Sequence, residues 1–186
     1  MNRISIITVS ALLLAIPGST VYAANLTKDQ SAKRAKSTLQ QISGQIERIS
    51  ETAGRMSIQS REPSYAEVQG VELNHLSAEI NRVGRELKGL ESETELLPPW
   101  QTEAISRVVP SMHKIATMTT DATELFNKSQ SQLFASHYST EASQIASRAK
   151  ETATLLGNDL KLEKTRAKEE HLEDAVNGGR SATQGQ

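Results

Sequence analysis

From residue 32 onward, apolar side chains return every three or four positions with little interruption. Ala32, Ala35, Leu39, Ile42, Ile46, Ile49, Ala53 and Met56 follow a 3-4-3-4-3-4-3 spacing. That spacing keeps one stripe of a helix facing a neighbour, as in a coiled-coil seam. Between these positions lie Lys, Arg, Gln, Ser and Glu. The pattern predicts a first helix over 27–58, with Thr27 or Asn25 as cap and Asp29 in its first turn. Pro63 interrupts it inside the turn 60–64. Ser64 then offers an N-cap, with Glu67 three residues on as a capping box.

A second helix is predicted over 65–96. Leu73, Leu76, Ile80, Val83, Leu87, Leu90, Thr94 and Leu97 repeat the same spacing. Pro98-Pro99 ends it and opens a third helix over 99–133, because proline is tolerated in a first turn but not in an interior. The third stripe is Ile105, Val109, Met112, Ala116, Thr119, Thr123 and Phe126, widened by Val108, Ile115 and Ala122. Ser136-His137-Tyr138-Ser139 is the next break. Ser139 or Thr140 caps a fourth helix over 140–176, which carries Ala142, Ile145, Ala149, Thr152, Leu156 and Leu160. Asn177-Gly178-Gly179 is its expected stop, with a disordered tail over 178–186. No stretch alternates with period 2, so strands are not predicted.

Four long segments with short turns predict an all-α fold. The simplest solution is an antiparallel up-down-up-down four-helix bundle over 24–177, each helix about 50 Å long. Two separate hairpins or a hairpin-swapped dimer are the alternatives. Pairing through the turns would set Ile46 near Leu76, Thr119 and Ala153. The many small residues of the third and fourth helices would let those two approach closely.

The first residues have a different character. Arg3 precedes an apolar run over 4–16, Pro17-Gly18 breaks it, and Val21-Tyr22-Ala23 has the small-residue form of a signal-peptidase site. The run is shorter than the roughly 20 residues a bilayer span needs. A signal peptide over 1–23, cleaved after Ala23, is therefore expected, and with it a secreted or periplasmic protein with no stable membrane span. Lys plus Arg number 21 against 22 Asp plus Glu, for a net charge of −1. That balance argues against nucleic acid as partner. With no Cys in the 186 residues, disulfides, thiolate metal sites and cysteine nucleophiles are excluded.

Candidate chemistry is sparse. Glu72-Leu73-Asn74-His75 is one Glu-x-x-His element, where a di-iron bundle uses two. Its nearest rival, Glu170-His171, has the wrong spacing. A haem bundle needs two inward ligands at one level. Met56 and His137 are the conceivable pair, in a bundle end that also gathers Tyr65, Phe126, Phe134 and Tyr138. An apolar cap is the plainer reading of that group. His113 falls near Asp159 in the layer estimate, a possible His–carboxylate pair. Pro110 should kink the third helix, and Trp100 is either a cap on the bundle end or an anchor for a partner. Glu91, Glu93 and Glu95 make the end of the second helix acidic. The stretch 161–174 is dense in both signs, with Glu163, Arg166 and Glu170 at ion-pair spacing; a solvated helix is the plainer reading, and an arm that projects past the bundle for docking is the alternative.

Leu26-Thr27-Lys28-Asp29-Gln30 is similar to the LTxxQ-type element of periplasmic stress chaperones, in a single copy. No family is assigned on it. No nucleophile, base and orienter come together, so no catalytic, cofactor or metal residues are assigned. The expectation is an exported, non-enzymatic helical bundle that binds a protein partner, itself or a ligand. A metal- or haem-binding bundle and a stress chaperone are the alternatives.

Overall fold

A computed structural model describes residues 27–60, 62, 66–128 and 137–183. The signal-peptide reading of residues 1–23, the Ser64 cap, Tyr65 and Phe134 all lie outside this set. The described residues form four α-helices and one short 3-10 helix, with no strand among them. The helices are α1 (Lys28–Gln59), α2 (Ala66–Glu91), α3 (Pro99–Lys128) and α4 (Tyr138–Thr183). This all-helical architecture is compatible with a four-helix bundle.

Each helix begins or ends for a local reason. Thr27 caps α1: its hydroxyl accepts from the Gln30 N–H at 3.3 Å, and the Gln30 side chain accepts from the Thr27 N–H at 3.1 Å. This reciprocal capping box satisfies two N–H groups that have no partner within the helix. α2 stops at Glu91, short of the 96 that the apolar spacing predicts. Leu97 must be extended before Pro98 (φ −95°, ψ 149°), so the chain tightens into a 3-10 turn over Thr94–Leu96. The Ser92 and Thr94 hydroxyls donate to the freed carbonyls of Gly89 and Glu91. α4 departs from expectation at both ends. It is helical from Tyr138, and Ser139 is not its cap but bonds to α1. At the far end it runs through Gly178-Gly179 to Thr183. Glycine in a helix costs about 1 kcal/mol relative to Ala but does not forbid it.

One core joins all four helices. Leu39, Ile42, Ile46, Ile49 and Met56 of α1 are fully buried, as are Leu76 of α2, Ile115 of α3 and Ile145 of α4. On α3 the buried line is Ile105, Val108, Met112, Ile115, Thr119, Ala122 and Phe126, while Val109, Ala116 and Thr123 are only half-buried. The positions that the sequence places at the margin of the stripe thus share its centre. Each aliphatic side chain taken from water contributes roughly 1.5–3 kcal/mol.

The most extensive helix contact is between α1 and α4, not α3 and α4. Its cause is a line of small residues. Ser43, Ser50 and Ser57 recur at heptad spacing along α1, opposite Ser139, Ala142, Ala146 and Ala149 of α4. Ser50 donates to the Ala146 carbonyl at 2.8 Å. Ser57 donates to the Ser139 carbonyl and Ser139 to the Ser57 carbonyl, both at 3.0 Å. Side chains this short bring the helices close enough for hydroxyls of one to reach carbonyls of the other.

Candidate functional site

α1 and α2 are joined on one flank by a ladder that apolar spacing does not reveal. Arg34, Gln41, Arg48 and Arg55 recur every seven residues, and so do Glu72, Glu79, Glu86 and Glu93. Arg34 pairs with Glu93 at 3.5 Å, Arg48 with Glu79 at 3.2 Å and Arg55 with Glu72 at 3.6 Å. The remaining rung is neutral on one side. Gln41 and Gln45 donate their amides to Glu86 Oε1 at 3.3 and 3.1 Å, and Glu86 Oε2 is buried without a protein partner. The rungs set Ile46 level with Ile80 rather than Leu76, about one turn further along α2. Exposed ion pairs contribute little to stability individually. Their repeat fixes which helix lies beside which, and in what register.

Near Met56 the described residues pack an aromatic cluster. Tyr138 is fully buried, and its hydroxyl donates to Gln69 Oε1 at 2.9 Å. The Phe126 ring lies 6.3 Å away at 48°. Gly70 leaves room for it: a Cβ there would sit 3.1 Å from Phe126 Cζ. Burial, and then the Glu72 carboxylate, push the Tyr138 phenol above its ordinary range. Met56 is buried in this end, but His137 is exposed, so the two do not form a facing ligand pair.

The other candidates are likewise dispersed. Glu72 turns to Arg55, and His75 is exposed. His113 is exposed and does not meet Asp159, which pairs with Arg107 at 2.9 Å. Because α4 is already helical at Tyr138 and packs there on Phe126, its residues meet α3 nearly two turns closer to the start of α3 than expected. Pro110 faces solvent, so the hydrogen bond it cannot make is lost on the outer side, where a helix bends around its core. Trp100 is half-buried against the core rather than a free anchor. Among the described residues no three of His, Cys, Asp or Glu gather at metal-binding distance. An open depression of about 200 Å³ lies between Lys28, Asp29, Ala32 and 95–98.

What stands apart is the far end of α4. This helix has 46 residues, against 32 in α1, 26 in α2 and 30 in α3. The bonds of Ser50 and Ser57 fix its register, which sets Lys28, the first residue of α1, level with about Lys168. Residues 169–183 therefore outrun α1 by about 22 Å. Leu162 and Leu172 are 53% and 58% exposed along this half of the helix, and Leu155 before it is 52% exposed. No described helix is long and apolar enough to cross a membrane. Comparison with protein-family models, curated proteins and solved structures finds no match.

Proposed function

We propose that this is an exported, non-enzymatic helical-bundle protein that works by binding, with the far half of α4 as its working part. The four helices alternate up-down-up-down. In support, the partners of Arg34, Arg48 and Arg55 descend along α2 as the arginines ascend along α1. The observation that carries the reading is the overhang of α4 with leucines left in water. A 46-residue helix that stops contributing to the core near Leu160 yet keeps Leu162 and Leu172 exposed has another surface to meet.

Two measurements test this. Photo-crosslinkers at Leu162 and Leu172 should give a discrete adduct in living cells, and one at exposed Glu47 on α1 should not. Equal or absent adducts would count against the arm. Export predicts that the protein isolated from the envelope or medium begins at Ala24. An intact leader on a cytosolic protein would refute that part. The chaperone alternative rests on the Leu-Thr-x-x-Gln stretch, in which Thr27 and Gln30 serve as the α1 cap.

A further inference from the structure

We infer that the arm of α4 is a self-complementary surface and pairs antiparallel with the α4 arm of a second copy of this chain. The inference rests on the binding reading above and names its partner. It is carried by a charge pattern. Asp159, Arg166 and Glu173 recur every seven residues along one flank of α4 and alternate in sign. Residues seven apart lie on the same side of a helix but are two turns apart, so they do not pair with one another. In a two-fold antiparallel pair, each flank meets the same flank of the other helix. Alternation in sign then becomes complementarity: Arg166 of each copy comes level with Glu173 of the other.

The geometry of the chain permits this register. Its centre falls near Glu170, beyond the level of Lys28, so two bundles would lie end to end without overlap. Beside the charged flank run Leu155, Leu162, Thr165, Glu169 and Leu172, at 3-4 spacings once Asn158 is included. Leu172 of one helix would cover the methylene stem of Glu169 of the other. Arg166 and Glu173 are both exposed in the single chain and stand beyond the buried core, so reversing them leaves the fold intact.

Sedimentation velocity on the whole protein, over a concentration series at low salt, tests the pairing. The wild type should show a monomer–dimer equilibrium that weakens with added salt. Arg166→Glu and Glu173→Arg should each weaken the dimer about tenfold or more, because each sets like charges face to face at two symmetric places. An equimolar mixture of the two variants should recover wild-type dimer, since every contact in the mixed pair is again of opposite sign. Circular dichroism should show unchanged helix content in both. A wild type that stays monomeric, a dimer indifferent to either reversal, or a mixture that does not recover would overturn the inference. A monomer whose Leu162 adduct contains some other protein would do so while leaving the binding reading in place.

Discussion

Tyr138→Phe removes the hydroxyl that donates to Gln69, with almost no change in shape. The Tyr138 hydroxyl donates to Gln69 Oε1 at 2.9 Å, and both residues are fully buried. The phenylalanine ring fills the same space against Phe126, so little packing is lost. Two terms remain. The net worth of a neutral hydrogen bond is about 1 kcal/mol. Leaving the Gln69 oxygen buried without a donor adds about 1–3 kcal/mol, since water does not reach it in the folded state. Their overlap gives an expected loss of about 2 kcal/mol, or roughly 4–8 °C in Tm for a chain of this size. Urea denaturation followed by helix content reads it directly. The companion variant Tyr138→Phe/Gln69→Leu removes donor and acceptor together and should regain more than half of the loss. A single variant within 0.5 kcal/mol of wild type, or a double variant worse than the single, would refute the reasoning. The same site makes a pH prediction. A phenol held above its ordinary range when folded is stabilising while neutral in both states, and that stability falls as pH rises past about 10. Alkaline unfolding should therefore begin at higher pH in Tyr138→Phe than in wild type, after allowing for its lower starting stability.

Other sites give sharper contrasts. Gln41→Arg places a cation on the one rung that lacks it and should stabilise by up to about 1 kcal/mol, an effect that added salt removes. Ala146→Leu forces bulk between α1 and α4 where Ser50 reaches the Ala146 carbonyl, and should cost about 1–3 kcal/mol by chemical denaturation. Gly84→Ala meets nothing within 4 Å and should stabilise by about 0.5–1 kcal/mol, measured the same way. Thr27→Ala should cost about 1 kcal/mol and raise amide exchange in the first turn of α1, which would assign the Leu-Thr-x-x-Gln stretch to capping.

The apolar positions were legible because core burial leaves a periodic mark on every helix. Leu39 to Met56 and Leu73 to Leu90 could be read from spacing alone. Register was not, because it depends on where each turn reverses. Tyr138 joins α4 and packs on Phe126, and that shift separates His113 from Asp159. The Arg/Gln–Glu ladder left its own sign, two sets of charges at heptad spacing. Spacing identifies such flanks but not which neighbour each one faces. That needs the arrangement of all four helices. The Ser43, Ser50 and Ser57 line was hidden for the same reason: a serine on a helix reads as a polar surface until its partner is known. The candidate site was the least legible part. Exposed leucines on α4 look in sequence like a core stripe that fades.

The serine contacts between α1 and α4 have a consequence for how the molecule comes into being. They join the first described helix to the last. During synthesis, and during any passage of the chain in an extended form, α1 exists long before the surface that accepts its hydroxyl protons. Its apolar stripe must wait for α4 as well. A chain broken off before Ala146 would leave α1 and α3 without their most extensive partner. Folding thereby waits on α4: the α1 surface closes only once α4 has emerged, and until then it stays open to quality control.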